Sequence, residues 1–375
     1  MTTKKALGIL FANMHDSNMG ELTKARSMGS LPFGGRYRLI DFSLSSLVGA
    51  GVTKVGVIAK SNYHSLMDHL GNGREWDLAR KNEGLSILPP YRGAQESETL
   101  YHGRIQALHN ALYYIRSSAV SYVVLSDCDH VANVDLSAAL DFHESTGADV
   151  TMICYDRPPD AGEPMKSCVV LRPDADGRVR DMMIDRYEEG CVLSMNMFIV
   201  GKDKLVEMIE EAMSRMLVFF ERDVLLKNID TLDIRCFLHK GFVRRIYSLR
   251  SYREANMALL DRNNLQELFD PRHPVYTKVR DEAPVRYGLN ASVRNCLVAD
   301  GCVIEGTVEN CVLFRGARIA AGAHVENSIL MQGTEIGDGA SLDCVITDKT
   351  VRVSPGRTLC GHSTYPLYIA KASVV

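Results

Sequence analysis

Three arginines lie close together near the start of the chain, at Arg26, Arg36 and Arg38. A guanidinium group stays charged at all relevant pH values and donates paired hydrogen bonds in a planar fork, which matches the oxygen atoms of a phosphate. These residues could therefore bind a phosphorylated ligand. The alternative is that Arg36 and Arg38 form ion pairs with nearby acidic residues such as Asp41, which would make them structural.

A second group of reactive residues follows the apolar run that ends at Leu125, where Asp127, Cys128, Asp129 and His130 stand in sequence. Taken alone, an Asp–His pair of this kind usually caps a loop or forms a turn. The ten cysteines are scattered singly without a Cys-x-x-Cys pair, and no histidines cluster at metal-ligand spacing. We therefore expect reduced core cysteines and no structural metal site.

The elements that would position these residues alternate between strand and helix in the first half of the chain. The predicted strands are 6–11, 54–59 and 122–125, and the predicted helices are 38–50, 61–70 and 103–115. This alternation is typical of an α/β, Rossmann-like domain with a mostly parallel sheet. Because ligands bind beyond the carboxyl ends of the strands in such sheets, we expect the chemistry in the loops after Phe11 and Leu125.

A different pattern begins near Leu289, where apolar residues recur roughly every six positions with glycine and small polar residues between them. This hexapeptide pattern predicts a left-handed parallel β-helix, in which each short strand places one apolar side chain inside the prism. An antiparallel meander is the alternative, but it would need a period-two alternation, which is absent. The recurring apolar positions are Val298, Ile304, Ile319, Val325, Leu330, Ile336 and Leu342.

The two patterns divide the chain of 375 residues into an α/β domain at 1–260 and a β-helix at 289–375. Between them, residues 261–288 contain three prolines among charged residues. Prolines interrupt both helical and ladder hydrogen bonding. We therefore expect this stretch to be a linker that packs along the first domain.

Charge and hydropathy argue against several classes of partner. The formal net charge of −3 gives no electrostatic attraction to nucleic acid or to an anionic membrane. No apolar run approaches the length of a bilayer span, and residues 1–5 precede only a strand-length apolar segment. The sequence therefore predicts a cytoplasmic protein that binds neither nucleic acid nor membrane.

Four stretches resemble one known family. Residues 31–42 are similar to the characteristic segment that follows the nucleotide loop of bacterial ADP-glucose pyrophosphorylases, which are glucose-1-phosphate adenylyltransferases. Residues 71–78, 297–308 and 312–316 also match that family, so the resemblance covers nearly the whole chain. It implies a nucleotidyltransferase domain followed by a left-handed β-helix.

The nucleotide loop departs from the pattern of catalytic members. In those members the first strand runs into a Gly-Gly-x-Gly loop, whose glycines admit the triphosphate and whose cations stabilise the departing pyrophosphate. A gapless alignment here puts side chains at the glycine positions and removes cations. The glycine positions are held by Asn13, Met14 and Asp16, the two arginine positions by His15 and Asn18, and a downstream lysine position by Met28.

Three more positions bear on the chemistry that the resemblance implies. Asp129 fits the aspartate that helps to hold magnesium between the phosphates, and Asp127 is the aligned residue if the loop carries an insertion. The lysine that binds the sugar phosphate is replaced by Asp185, although Arg186 could substitute for it in part. The second magnesium-binding aspartate corresponds to Arg245, a cation that repels magnesium.

These losses together should remove most transition-state stabilisation, and they resemble the regulatory D-type subunits of the family. The sequence therefore favours a non-catalytic regulatory subunit that joins a catalytic homologue in a hetero-oligomer, a tetramer by resemblance, and tunes ADP-glucose formation in glycogen biosynthesis. Arg26, Arg36 and Arg38 would then bind a sugar-phosphate or nucleotide effector.

Two alternatives stay open from the sequence. The first is an active adenylyltransferase with an altered loop, which would use magnesium and Asp129. The second is an independent sensor, in which the emptied pocket binds a sugar phosphate or nucleotide without turnover. No firmly bound cofactor is expected, and magnesium is expected only if some activity remains.

Overall fold

The computed structural model describes residues 6–89, 103–156 and 165–375. The first part of the chain is an α/β domain whose apolar runs form strands and whose periodic segments form helices. Its strands are β1 (Ala6–Phe11), β2 (Pro32–Phe33), β3 (Tyr37–Arg38), β4 (Lys54–Ile58), β5 (Gly84–Leu88), β6 (Tyr122–Asp127), β7 (His130–Ala132), β8 (Val150–Tyr155), β9 (Val169–Pro173), β10 (Val179–Ile184), β11 (Val192–Gly201), β12 (Ile234–Leu238) and β13 (Val243–Arg245).

Helices alternate with these strands. They are α1 (Leu39–Gly49), α2 (His64–Leu70), α3 (Arg104–Asn110), α4 (Leu112–Arg116), α5 (Leu136–Thr146), α6 (Lys202–Ser214), α7 (Leu249–Met257) and α8 (Arg262–Leu268). Short helical turns occupy Asp16–Asn18, Gly20–Thr23, Met28–Ser30, Arg74–Trp76, Phe220–Leu225, Leu226–Asn228 and Ala258–Leu260. The single helix predicted at 103–115 is therefore two helices, α3 and α4, which meet at Ala111.

The central nine-stranded sheet has the order β10-β9-β11-β6-β1-β4-β5, and β8 pairs with both β11 and β12. Parallel pairs join β1 to β4 and β6, β4 to β5, and β8 to β12. Strand β11 is antiparallel to β6, β8 and β9, and β10 is antiparallel to β9. The other seven strands of the nine share one direction, which confirms the predicted mostly parallel sheet.

Both faces of this sheet are covered. Successive side chains of a strand point to opposite faces, and every residue of β1 is buried. Leu7 and Ile9 pack in a core with residues of α3, α4 and α6, whereas Ala6 and Leu10 pack in a second core with residues of α1, α2 and α5. Burial on both faces explains why the strands read as continuous apolar runs.

The second part of the chain forms three parallel five-stranded sheets, which is the arrangement of the predicted left-handed β-helix. The register stacks Ile304, Ile319, Ile336 and Val353 in one buried interior column. The strands are β14 (Arg286–Tyr287), β15 (Ser292–Arg294), β16 (Leu297–Val298), β17 (Val303–Ile304), β18 (Thr307–Glu309), β19 (Val312–Leu313), β20 (Arg318–Ile319), β21 (His324–Glu326), β22 (Ile329–Leu330), β23 (Glu335–Ile336), β24 (Ser341–Asp343), β25 (Val345–Thr347), β26 (Arg352–Val353), β27 (Thr358–Cys360) and β28 (Leu367–Ile369).

The stretch predicted as a linker, 261–288, contains regular structure. Its first residue, Asp261, caps α8, and β14 near its end already pairs with β17 of the β-helix. Between these elements the chain runs along the first domain, where the backbone N–H of Tyr276 donates to Ser45 Oγ at 2.9 Å. The boundaries 1–260, 261–288 and 289–375 stay predictions.

A third apolar core joins the two parts of the chain. Phe33 and Tyr252 from the α/β domain pack in one cluster with Phe314 and Ile346 from the β-helix. All ten cysteines are free thiols. Within the described ranges, no helix has the length and apolar composition that crossing a bilayer requires.

Candidate functional site

Three side chains that could ligate a metal ion meet beyond the carboxyl ends of β1 and β6. His15 follows β1, Asp127 is the last residue of β6, and Asp129 lies two residues further along. His15 Nε2 is 2.7 Å from Asp127 Oδ2 and 3.6 Å from Asp129 Oδ2. Possible ligand atoms of the three residues lie within 4.8 Å of one another. We name these three residues the carboxylate cluster.

The first carboxylate, Asp127, is paired with a buried arginine. Arg104, the first residue of α3, donates from Nη1 to Asp127 Oδ1 at 2.7 Å and from Nη2 to Oδ2 at 3.0 Å. Glu221 Oε1 accepts from Arg104 Nε at 2.9 Å. The guanidinium carbon lies 4.7 Å from the ring centre of Phe11 and 5.2 Å from that of Phe198. These contacts hold Arg104 in one position beside Asp127.

The second carboxylate, Asp129, is surrounded by three donors. His130 Nδ1 lies 2.8 Å from Asp129 Oδ1. Asn196 Nδ2 and Arg245 Nε donate to Oδ2 at 3.1 and 3.2 Å. Arg245 is in register opposite His130, because β13 pairs with β7, and this pairing brings its side chain to the cluster.

Asn196 reaches the cluster through an irregularity in β11. The register with β8 shifts between Ser194 and Met197, and Asn196 has a φ of 52°. Asparagine tolerates this left-handed conformation better than most residues. The bulge therefore places a polar side chain beside Asp129, while Met195 and Met197 on either side stay buried in the apolar core.

Opposite charges control the protonation of the cluster. Burial lowers the pKa of His15, but the charge of Asp129 and the hydrogen bond and charge of Asp127 outweigh burial and raise it. Burial would raise the pKa of both carboxyls. Arg104 nevertheless lowers the pKa of Asp127, and His130 contributes to holding that of Asp129 well below its usual range. Both aspartates are therefore ionised, and His15 favours its cationic form.

The loop after β1 is held by its own side chains. Asn13 Nδ2 donates to Asp16 Oδ2 at 2.5 Å, and the backbone N–H of Met28 donates to Asp16 Oδ1 at 2.7 Å. Burial raises the pKa of Asp16 to about 6, although both donors lower it. Met14 packs against the apolar core, and Asn18 Nδ2 is a buried group without a partner within the described ranges. Side chains thus fill the loop that glycines would leave open.

A second site, which we name the cationic pocket, lies between the α/β domain and the β-helix. Gly34 and Gly35 have φ angles of 55° and 81°, a turn between β2 and β3 that exposes Arg36. A side chain at either glycine would be strained in this conformation. The cations that line the pocket are Arg36, Arg38, Lys278, Arg280, Arg315 and Lys349.

The arginines singled out from the sequence have different environments. The Arg38 guanidinium donates to Ser65 Oγ at 2.9 Å, and the contact of Arg38 with Asp41 is a backbone hydrogen bond, from the Arg38 N–H to Asp41 Oδ2, also at 2.9 Å. The predicted alternative, an ion pair with Asp41, is therefore not formed by Arg38. Arg26 lies outside the pocket, is 3% exposed and donates two hydrogen bonds of 2.7 Å to Asp348. Its charge is neutralised inside the protein, so it is not available to an effector.

Comparisons with known proteins identify the family. The Nucleotidyl transferase family matches residues 17–182, and the GlmU-like C-terminal hexapeptide family matches residues 283–363. The chain is 35% identical over 374 residues to the glycogen biosynthesis protein GlgD of Bacillus subtilis (strain 168). The aligned residues cover 100% of this chain and 98% of that protein. The chain belongs to the GlgD family.

Further relatives agree with this membership. The GlgD protein of Geobacillus stearothermophilus is 36% identical over 327 residues, with 86% of this chain and 83% of that protein covered. The glucose-1-phosphate adenylyltransferase of Pseudothermotoga lettingae is 32% identical over 331 residues, with 86% and 76% covered. These matches confirm the predicted relation to D-type proteins and to glucose-1-phosphate adenylyltransferases.

The carboxylate cluster of this GlgD-family chain does not suit the magnesium ion that the resemblance implies. Mg²⁺ demands near-octahedral oxygen ligands. All four carboxylate oxygens of Asp127 and Asp129 already have protein donors within 3.2 Å. Arg104 and Arg245 add two fixed positive charges that repel a divalent cation. Both aspartates lie in the cluster, so the two alignments left open by the sequence converge on one site.

The position aligned with the family's sugar-phosphate lysine lies outside this cluster. Asp185 is exposed and has a φ of 59°. Its backbone N–H donates to the Cys168 carbonyl at 2.9 Å, and its Oδ1 accepts from the Cys168 backbone N–H at 2.8 Å. Arg186 pairs with Glu188 at 2.9 Å. Asp185 therefore extends the antiparallel pairing of β9 and β10 beyond Ile184 and Val169, and neither Asp185 nor Arg186 has a hydrogen bond to the cluster among those that the structure describes.

Sequence reasoning missed several residues of the two sites. Arg104 begins a helix whose buried face also contains Ile105, Ala107 and Leu108, and a charge on that apolar face was the available signal. Asn196 interrupts an apolar strand between two methionines, which marks a bulge in retrospect. Glu221 and Lys349 follow no local pattern, because only the tertiary fold brings them to the sites.

Proposed function

We propose that this chain is a non-catalytic, regulatory subunit of a glucose-1-phosphate adenylyltransferase, the enzyme that converts ATP and glucose 1-phosphate to ADP-glucose and diphosphate in glycogen biosynthesis. The observation that carries the proposal is the saturated carboxylate cluster, in which Arg104 and Arg245 neutralise the two aspartates. Transfer of a nucleotidyl group requires cations that are positioned to contact the phosphates of the substrate. In this chain the two arginines contact the protein's own carboxylates instead.

The loop after β1 supports the same conclusion. A triphosphate needs backbone N–H groups at close range, and glycines make that approach possible. Asp16 instead accepts from the backbone N–H of Met28 and from Asn13, so these two donors are satisfied within the loop. The partly buried carboxylate of Asp16 also repels the phosphates. The loop and the cluster therefore both disfavour turnover.

The first test is the activity of the purified chain. We expect no ADP-glucose formation from ATP, glucose 1-phosphate and magnesium above the background of an Asp129→Asn variant prepared in the same way. The variant serves as the control, because contaminating host enzyme would contribute equally to both samples. A turnover of about 1 per second or more that depends on Asp129 would show an active adenylyltransferase instead.

A regulatory subunit requires a partner, and we propose a catalytic homologue in a hetero-tetramer. Support comes from the first coil of the β-helix, whose outer edge has no neighbouring strand in the described part of the chain. Val293 and Val298 of this coil are half-buried, whereas Val308 and Leu313 above them are fully buried. An uncovered edge of this kind is a pairing surface.

The opposite end of the β-helix is covered at one of its three sheet edges. The backbone N–H groups of Arg352 and Ser354 donate to Ser373 and Val375 at 2.9 and 2.8 Å, so the last residues run beside β26. In the described part of the chain, one of the three sheet edges at this end is therefore covered, whereas all three edges of the first coil lack a neighbouring strand. The reduced state of the cysteines fits the cytoplasm, where we place the complex.

The cationic pocket supports regulation by a sugar-phosphate or nucleotide effector. Among the described residues, Arg36, Arg280 and Lys349 line the pocket without an ion pair. Unpaired cations at one place favour a multiply charged anion. The pocket joins the α/β domain to the β-helix, so a bound anion would contact both parts of the chain.

A further inference from the structure

Two cysteines occupy the same position in the first two coils of the β-helix. Cys296 comes immediately before β16, and Cys311 comes immediately before β19. These two strands pair in parallel, with Leu297 opposite Val312, and the backbone N–H of Leu297 donates to the Cys311 carbonyl at 2.9 Å. Neighbouring strands of a sheet lie about 4.8 Å apart, which is within the range of Cα separations that a disulfide joins.

The two thiols have the same local contacts, so their side chains point in the same direction. Each thiol donates to the backbone carbonyl two residues before it, at 3.0 Å for both Cys296 and Cys311. Ser328 Oγ makes the equivalent contact in the third coil, at 2.6 Å. A hydroxyl therefore satisfies this turn as a thiol does, and the fold alone does not require two neighbouring sulfur atoms.

The two thiols differ in exposure and in protonation. Cys296 is half-buried on the first coil, whereas Cys311 is fully buried. The hydrogen bond from the Cys311 thiol lowers the pKa of Cys296, although burial raises it. Burial, with a smaller contribution from Cys296, holds the pKa of Cys311 well above its usual range. Cys296 is therefore the thiol that ionises first and that an oxidant from solvent reaches first.

We propose that Cys296 and Cys311 form a reversible disulfide when the chain is exposed to hydrogen peroxide. The Cys296 thiolate attacks one peroxide oxygen and the O–O bond breaks, which leaves a sulfenic acid (S–OH) on Cys296. The released hydroxide takes up the proton that the Cys296 thiol lost and becomes water. The Cys311 sulfur then displaces the hydroxyl group from Cys296, and the Cys311 thiol proton leaves with it as a second water.

The peroxide is thus reduced by two electrons, the two thiols are oxidised, and the new bond fastens the first coil to the second. Reduction by another thiol restores both cysteines, as is usual for disulfides that form in reducing compartments. This inference concerns the isolated chain and does not depend on a regulatory role.

The test treats the folded chain with hydrogen peroxide, blocks the remaining thiols with iodoacetamide and maps linked peptides by mass spectrometry without reduction. Cleavage after glutamate separates the two cysteines, because Glu305 and Glu309 lie between them. We expect a peptide pair that links Cys296 to Cys311 and that dithiothreitol separates.

The internal comparison is a second pair of thiols, Cys154 and Cys236, which also interact but are both buried. We expect the Cys296–Cys311 link to be at least about tenfold more abundant than a Cys154–Cys236 link, because oxidation follows thiolate character and exposure. The matched control is Cys302→Ser, which removes a buried thiol between the two cysteines and should leave their link unchanged.

Two variants test the order of the steps. Cys296→Ser should abolish the link, and Cys311 should then remain a thiol that iodoacetamide labels in the unfolded protein. In Cys311→Ser the sulfenic acid on Cys296 has no neighbouring thiol, so dimedone should label Cys296 several-fold more than in the parent. Because Ser328 holds the equivalent position in the third coil, serine suits both sites, and melting curves check that each variant is folded.

Three outcomes would overturn the proposal. The first is a folded parent that gives no Cys296–Cys311 link at a peroxide concentration that oxidises the exposed Cys360. The second is an equal yield of the link from the urea-unfolded chain, since the fold would then not bring the pair together. The third is equal labelling of Cys296 by dimedone in the parent and in Cys311→Ser.

Discussion

At the level of single residues, the chain keeps its cations in two contrasting environments. Arg104 and Arg245 form ion pairs with the aspartates of the carboxylate cluster, so their charges are neutralised inside the protein. In the cationic pocket, Lys349 is partly buried among other cations, and burial followed by the charges of Arg38 and Arg26 lowers its pKa to about 7. The first environment disfavours an added cation, and the second favours an added anion.

The pKa of Lys349 predicts that anion binding depends on pH. Below about pH 7 Lys349 is protonated, and above it the pocket loses one positive charge. Sulfate is a suitable probe because its charge stays constant over this range. We expect sulfate to raise the melting temperature more at one pH unit below about 7 than at one unit above. Lys349→Met should remove this difference.

Two further variants complete the test of the pocket. Arg36→Ala should reduce the sulfate effect at both pH values, because Arg36 lines the pocket without an ion pair among the described residues. Lys81→Met is the matched control, since Lys81 is exposed, does not line the pocket and is not among the charges that lower the pKa of Lys349. If Lys349→Met keeps the full pH difference, another group controls the binding.

At the level of elements, the sequence predicted those whose apolar residues form a clear pattern. Strand β1 is a continuous apolar run, helix α1 is a mostly apolar segment, and the interior columns of the β-helix follow a six-residue repeat, and all three agree with their predictions. The division of 103–115 into α3 and α4 was not predicted. The two helices meet at Ala111, and alanine, unlike glycine or proline, gives no signal that a helix ends. The bulge at Asn196 was also missed, because it arises from pairing with β8 and β6 rather than from local preference.

The candidate site could be predicted only in part. The positions of Asp129 and Arg245 followed from alignment with the family, and the structure brings them within 3.2 Å. Arg104, which pairs with Asp127, is 117 residues from its second partner Glu221, so no spacing rule could join them. Arg26 was misjudged, because its buried partner Asp348 is 322 residues away.

The uncovered first coil predicts where the catalytic partner binds. Tyr287 is 53% exposed and Leu289 is fully exposed, so both offer apolar surface to a neighbour. The double variant Tyr287→Ser, Leu289→Ser should weaken assembly with a cognate glucose-1-phosphate adenylyltransferase by about tenfold or more, with an unchanged melting temperature of the isolated chain. The two proteins are mixed and separated by chromatography, and light scattering of the eluted species measures how much complex has assembled.

The matched control for the first coil is Tyr365→Ser. Tyr365 is 83% exposed and lies in the loop between β27 and β28, away from β14 and β15. We expect this variant to assemble like the parent. Separate elution of the parent and the catalytic chain at micromolar concentration would contradict the proposed partner. Equal assembly of all variants would show that the interface lies on another surface of the chain.

At the level of the whole molecule, two kinds of contact make the α/β domain and the β-helix one unit. The shared core that contains Phe33 and Phe314 supplies apolar burial. The ion pair of Arg26 with Asp348 adds a specific polar contact, and Tyr368 donates to the same carboxylate at 2.8 Å. Because the cationic pocket lies at the same junction, an anion bound there would act on the relative stability of both parts.

The buried ion pair predicts a large and asymmetric effect of substitution. Arg26→Met should lower the free energy of unfolding by about 3–5 kcal/mol, because it leaves the Asp348 carboxylate buried without its cation. The double variant Arg26→Met, Asp348→Leu should lose less than the sum of the single variants, since it removes both charges together. Urea unfolding measures these differences. Arg116→Met, which breaks an exposed pair with Glu210, should cost less than about 1 kcal/mol. An equal loss in Arg26→Met and Arg116→Met would show that the apolar core alone holds the two parts together.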